Sequence, residues 1–561
     1  MGRVHDVLVI GAGLAGMRAV IEAHDQGADV AAVSKLHPTR SHSGSAEGGI
    51  NASLGNAAED SADSHAFDTV KGSDYLGDQD AIEVFAEEAP GDIYQLEHWG
   101  AVFTRDEDGK LAQRPFGAAG SPRTIFAADI TGHVLIHVLY EQLMKRDPLV
   151  YEECFAWRLV IDDGRARGVI CWDLVNGGLQ LIEAKSVVLA TGGCGRLYRA
   201  TTNAFSCTGD GQAMALHAGL PLKDIEFMQF HPTTLYPSGI LITEGCRGEG
   251  GYLLNKHGER FMQRYAPNAL ELASRDVVSR SEQIEIDNDR GINRSVLLDL
   301  RHLGEERITD RLPSSRDLAM TYAGVDPIFD PIPVRPGAHY QMGGIETDNW
   351  GATELEGLYA AGEAACVSIH GANRLGGNSL METIVFGRRA GKAAAEHARA
   401  DGRNGSASEA ALSDAERDLR RLLDRAEGER PWQVRDELGS SMLENFGVFR
   451  RESQMREQLG VLARLRERYE RVVVEDKGDV FNTDLTQALE LGSLLDVAAC
   501  MVQAGLAREE SRGAHSRPDD FPERDDERFM RHSISRWNGD GPELSYAPVR
   551  TTKWEPQERK Y

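Results

Sequence analysis

Two groups of residues in this chain have types and spacings that suit chemistry. The first is Gly11-Ala12-Gly13-Leu14-Ala15-Gly16, a G-x-G-x-x-G run. It sits between an apolar stretch, Val7-Leu8-Val9-Ile10, and an amphipathic one from Met17 to Gln26. In that context the glycines allow a tight turn and the following helix N-terminus favours a pyrophosphate, so a dinucleotide is expected. The next apolar stretch, 30–33, runs into Ser34-Lys35 and not the acidic residue that holds a nicotinamide-nucleotide ribose, which disfavours a simple NAD site. The second group comprises His231 in FMQFHPTT, Thr243, Glu244 and Arg247 in LITEGCRGEGG, Arg275 in LASRDVVSR, His339 in PGAHYQMGG and Arg374 in HGANRLGGNSL. A histidine and a hydroxyl can hold a carboxylate without neutralising a proton-transfer group. An arginine in a Gly/Asn loop suits bidentate carboxylate contact. Read from the residues alone, Arg275 is a further carboxylate clamp, because a guanidinium is ordinarily always charged. A ligand with a carboxylate at each end would satisfy the whole set.

These residues need a scaffold. The first group sits in a βαβ unit, with strands at 7–10 and 30–33. Two more apolar strands end in glycine turns, 186–193 with Thr191 and Gly192, and 357–363 with Glu363. Three such turns spread so far apart imply one nucleotide-binding domain interrupted by an insertion. The expected division is 1–225 and 337–400 for that domain, of Rossmann-like α/β class, and 226–336 for an α+β capping domain. A helical domain follows at 407–507 after a polar linker at 400–406, and a small charge-rich C-terminal domain at 508–561. At 561 residues several cores are required. The net charge of −26 argues against nucleic-acid partners and means that an anionic substrate must be held by a local cationic pocket. Seven cysteines occur without a C-x-x-C pair, so no metal or iron–sulfur site is expected in this chain. Cys246 lies beside the second group and reads as packing. The early first strand leaves no room for a targeting peptide, and no continuous apolar run suggests a bilayer span. The chain reads as intracellular.

The segment Ser34-Lys35-Leu36-His37-Pro38-Thr39-Arg40-Ser41-His42, followed by Glu47-Gly48-Gly49-Ile50-Asn51, resembles the succinate dehydrogenase/fumarate reductase flavoprotein family. The second group of motifs and a C-terminal SRGAHSR carry the resemblance along nearly the whole chain. It implies FAD joined through its 8α-methyl group to His42, a bond that raises the flavin potential. It implies further cofactor contacts at Ser34, Lys35, Thr39, Arg40, Ser41, Ser43, Gly48, Gly49, Asp210, Glu363, Ser379 and Leu380. His231, Thr243, His339 and Arg374 become substrate ligands. Arg275 becomes the proton-transfer group, relayed through Glu244 and Arg247. The implied activity is hydride transfer between succinate and fumarate, with succinate oxidation placed first. Glu47 stands where dehydrogenases of the family often carry Gln, which is more reminiscent of fumarate reductases. L-aspartate oxidase shares the fold but holds FAD without a covalent bond, so His42 speaks against it. The resemblance also implies an iron–sulfur subunit, membrane anchor subunits that reach quinone, and a peripheral position at the cytoplasmic face of the membrane.

Overall fold

The computed structural model describes residues 4–401, 409–539 and 541–559. The expected linker falls largely on 402–408 and so lies outside the described residues. The central sheet is built on strand Val4–Ile10, which pairs in parallel with Val30–Val33 on one side and Leu179–Leu189 on the other. Leu358–Ala360 adds in parallel to the end of Leu179–Leu189. The antiparallel strands Arg165–Asp173 and Cys154–Asp162 complete that side. Side chains alternate across a strand, and here both faces are buried. Leu8 and Ile10 enter one core with the C-terminal helices, while Val7 and Val9 enter a second with helices Leu14–Asp25 and Asn378–Ala400. The first of these helices begins at Leu14, directly on the glycine turn with Gly13 as its N-cap, and so earlier than the amphipathic stretch at Met17.

An antiparallel sheet of strands Met228–Leu235, Ile332–Gln341, Val296–Asp299 and Tyr252–Leu254 forms the interrupting unit. It has its own hydrophobic core, including Leu235, Leu298 and Ile332. Strand Ile332–Gln341 runs straight through 336/337, so a single strand joins the cap to the nucleotide-binding part. Four helices, Glu409–Leu423, Pro431–Asn445, Glu452–Tyr469 and Thr483–Ala507, occupy the expected helical region. The last is long and apolar enough to cross a membrane by length and composition alone. It is a core helix: 78% of its apolar window is buried, and its Glu490 binds Lys35 while its Asp496 binds Arg466 and His217.

The C-terminal hairpin, Arg531–Trp537 with Pro542–Pro548, does not stand apart. Its first strand pairs with Leu222–Lys223 of the nucleotide-binding part. Buried His532 locks this join, its Nδ1 2.6 Å from Asp224 and its Nε2 3.1 Å from Asp78. Burial works against a charged imidazole, but the two carboxylates outweigh it and raise the pKa to about 9, even with Lys223 nearby. The folded value thus exceeds the ordinary value of 6.5, so this contribution to stability is complete below about pH 6.5 and lost as pH rises through 9. The Tm difference between wild type and His532→Gln is therefore expected to be largest near pH 6 and to shrink by pH 9.5, as read by thermal denaturation.

Candidate active site

One cavity of about 970 Å³ lies between the glycine turn, the cap and the 370–380 loop. The turn from Gly11 to Ala15 borders it, with Gly192 and Thr191 from the second turn and Glu363 from the third. Gly16 does not face it; a Cβ there would come 1.8 Å from the Gly11 carbonyl, so this glycine closes the turn. Ser34, Lys35, Ser41, His42, Ser43, Gly48 and Gly49 all line the cavity, as do Asp210, Ser379 and Leu380. Thr39 and Arg40, expected at the cofactor, are outside the lining. A 3-10 turn, Pro38–Arg40, directs the Thr39 hydroxyl to His37 Nδ1 (2.9 Å) and leaves Arg40 exposed. Lys35 is at the lining, but its ammonium is spent on Asp210 (2.7 Å) and Glu490 (2.7 Å).

His42 is held by polar neighbours. Ser45 donates to the His42 carbonyl oxygen (2.7 Å) and lies 2.9 Å from Nδ1, which accepts from the Ala204 backbone N–H (3.3 Å). The Asn203 amide lies 3.2 Å from Nε2. Burial and the Arg196 charge push the imidazole down to about 4, so it is neutral at pH 7.

The substrate group converges on the same cavity. In strand Met228–Leu235, Gln229 and His231 sit two apart on one face. His231 Nδ1 accepts from the Thr233 N–H (3.2 Å), leaving Nε2 to carry the proton. The His339 ring is 4.8 Å away, held by Thr202 Oγ1 (2.8 Å). Burial and the surrounding arginines keep both imidazoles neutral. Arg275 begins helix Arg275–Asp287; its Nε and Nη2 lie 2.7 and 2.6 Å from Glu244 Oε2, and its Nη1 donates to Gln229 Oε1 (3.1 Å). Burial alone would raise the Glu244 carboxyl, but Arg275 and Arg247 draw it down to about 2. Burial lowers Arg275 from its ordinary value, against the opposing pull of Glu244. Arg247 does not line the cavity; it sits behind Glu244, Nη2 to Oε2 3.8 Å, and donates through Nη1 to the Glu271 carbonyl. Arg374 donates to Ser379 (2.6 Å), lies over the Tyr340 ring at 4.4 Å, and is pushed to about 9 by burial and Arg275. Ser379 thus orients an arginine as well as facing the cavity.

The residues fit a flavin dinucleotide. Ser41 Oγ, Thr191 Oγ1, Asn203 Oδ1, Asp210 Oδ1 and Arg374 Nε line the cavity, yet each is buried without a protein partner. Such groups need partners that a polar ligand would provide. A family model described as "FAD binding domain" matches residues 6–380, and one described as "Fumarate reductase flavoprotein C-term" matches 435–561. The chain belongs to the succinate dehydrogenase/fumarate reductase flavoprotein family. This flavoprotein is 46% identical to a succinate dehydrogenase flavoprotein subunit of Rickettsia conorii, over 98% of this chain and 95% of the relative. It is 47% identical to a fumarate reductase flavoprotein subunit of Mycobacterium tuberculosis, over 99% of each. A solved structure of E. coli quinol fumarate reductase superposes with a TM-score of 0.96 at 44% identity, covering 99% of this chain and 98% of that one.

Several members of the flavoprotein's site escaped the sequence reading as functional residues. Gln229 also donates to Asn373 and to the Arg374 carbonyl, tying the cap strand to the 370–380 loop. Its place two residues before His231 was the available signal. Asn203, Arg196 and Glu490 come from distant segments and had none. All seven cysteines are buried and free; burial pushes the Cys246 thiol up to about 12, in keeping with a packing role.

Proposed function

We propose that this chain is the catalytic subunit of a succinate:quinone oxidoreductase that oxidises succinate to fumarate, with FAD attached at His42. The observation that carries this reading is the meeting of Arg275–Glu244, Arg374, His231, Thr243 and His339 at one cavity with the glycine turns. His231 and Thr243 would hold one carboxylate, and His339 and Arg374 the other. Bound FAD would supply the hydride acceptor. Arg275 takes the proton from substrate carbon, and Glu244 and Arg247 return protons along the relay. Burial depresses Arg275 toward the range where such exchange is feasible. Two fixed carboxylates would set the reacting carbon in place, a large share of the acceleration.

Electrons would leave through an iron–sulfur subunit and membrane anchors to quinone, with this chain as a peripheral subunit at the cytoplasmic face. Glu47 bears on direction. Burial and Asp129 hold its carboxyl well above the carboxylate range, and its Oε2 has no protein partner. A protonated Glu47 resembles the glutamine of the dehydrogenases, and so does not oppose succinate oxidation. Glu47→Gln is accordingly expected to move the flavin midpoint potential at pH 7 by less than about 30 mV in spectroelectrochemical titration. The reverse reaction, fumarate reduction, uses the same groups and is named in the Mycobacterium tuberculosis relative.

The test is anaerobic absorbance of the holoprotein with succinate and, in parallel, with L-aspartate. Bleaching of the flavin band by succinate alone supports the reading. Bleaching by aspartate would replace it with an oxidase, and no response to either would make the chain a non-catalytic flavin subunit.

A further inference from the structure

Arg374 is a buried cation whose charge is supported in an uncommon way. Among the described residues, no carboxylate lies within ion-pair distance of its guanidinium, although the side chain is buried. Its Nη1 donates to Ser379, and its Nε has no hydrogen-bond partner. A buried charge without a partner is costly. What lies against the guanidinium is the Tyr340 ring, with Cζ 4.4 Å from the ring centroid. An aromatic face attracts a cation within about 6 Å, and more strongly where water is excluded. A carboxylate in that place would pair with Arg374 and compete with a substrate carboxylate for the same N–H groups. A ring face supports the charge without occupying a donor, so the planar fork stays free for a ligand.

The ring is itself anchored. The Tyr340 hydroxyl donates to Glu382 Oε2, and His370 Nε2 lies 2.8 Å from the same oxygen. The His370 and Tyr340 rings meet edge to face with centroids 5.3 Å apart. All three side chains are buried. Burial and the Glu382 charge raise the Tyr340 phenol well above its ordinary value, so it stays protonated and keeps donating. The anchor ties together the pieces that carry one end of the site. Tyr340 follows His339 on strand Ile332–Gln341, His370 precedes Arg374 by four residues in the same loop, and Glu382 stands early on helix Asn378–Ala400. The ring therefore fixes Arg374 relative to His339, the two groups assigned above to one carboxylate.

We propose that Tyr340, anchored by Glu382 and His370, is the positioning residue for Arg374: its ring bears the guanidinium charge and aims the fork at the substrate carboxylate. This rests on the assignment of Arg374 as a carboxylate ligand. Tyr340 acts through Arg374, and it exchanges no proton with the substrate and carries no electrons. Its contribution therefore belongs to dicarboxylate binding and not to the hydride or proton step.

The test measures fumarate binding to the oxidised holoprotein by calorimetry, and succinate turnover, in Tyr340→Leu, Tyr340→Phe, Arg374→Gln and the double variant Tyr340→Leu with Arg374→Gln. Tyr340→Leu should raise the fumarate Kd and the succinate KM at least tenfold, with kcat at saturation within about threefold of wild type. Tyr340→Phe keeps the ring but loses the anchor, and should weaken binding about threefold. In the Arg374→Gln background, Tyr340→Leu should weaken binding by less than about twofold further, because the group it serves is gone. A wild-type Kd in Tyr340→Leu would overturn the proposal. So would a full additional loss in the double variant, or a fall in kcat with unchanged Kd, either of which would mark a role apart from Arg374. If Tyr340→Leu does not fold, Tyr340→Phe alone and with Arg374→Gln decides by the same comparison. A wild-type Kd in Arg374→Gln would remove the carboxylate assignment itself; a weakened one beside wild-type Tyr340 variants would remove only this inference.

Discussion

Arg275→Gln is expected to lose turnover of succinate by at least about a thousandfold while still carrying FAD, at the strong end of what proton-transfer groups contribute. Three observations set that scale. Arg275 is the cavity-lining guanidinium bonded to Glu244, so its removal cuts the relay at the substrate. It also adds positive charge beside Arg374 and the two neutral histidines, in a protein whose net charge is −26. Finally, glutamine keeps some of the hydrogen bonding to Gln229 and Glu244 but cannot exchange a proton. Lysine would not be a conservative replacement, since it lacks the planar fork that spans Gln229 and Glu244. Stopped-flow bleaching of the flavin under anaerobic conditions measures the step directly. Retained flavin absorbance separates a chemical defect from a folding defect, and near-wild-type bleaching would remove Arg275 from the mechanism.

The second large effect is at His42. His42→Ser should bind FAD that is released when the protein is denatured, whereas wild-type flavin is expected to stay with the chain. The depressed pKa keeps the His42 imidazole neutral throughout the neutral range, as attack on the flavin methyl group requires. Loss of the bond should lower the flavin potential. A drop of roughly 60 mV in a two-electron couple is about a hundredfold in equilibrium constant. Succinate oxidation should therefore fall on the order of a hundredfold, with fumarate reduction spared. Flavin fluorescence of the denatured chain and rates in both directions check this; equal loss in both directions would argue that His42 is structural.

Much of this was legible in the sequence because it is local. The glycine run, its flanking strands and the helical C-terminal region are each set by neighbours in the chain. The substrate residues were legible through short motifs. What was not legible depends on contacts between distant segments. Lys35 lines the cavity, but the partners of its ammonium, Asp210 and Glu490, come from distant segments. Thr39 and Arg40 shared a motif with His42, but the turn at Pro38 sends them elsewhere. Arg247 shared a motif with Glu244 and proved to be one layer deeper than the cavity. The apolar character of Thr483–Ala507 is broken by Asp484, Glu490 and Asp496, so no unbroken apolar run marks this helix in the sequence.

The pairing of Leu222–Lys223 with Arg531–Trp537 has a consequence for synthesis. Strand 222–223 must wait while about 300 further residues are made, roughly 15 to 60 s at ordinary elongation rates. During that interval the nucleotide-binding part has an open sheet edge, and the carboxylates of Asp78 and Asp224 lack their shared imidazole. Cofactor loading on the ribosome would meet an unfinished receptor, and a chain cut short near its end would lose a wall of the first domain it built.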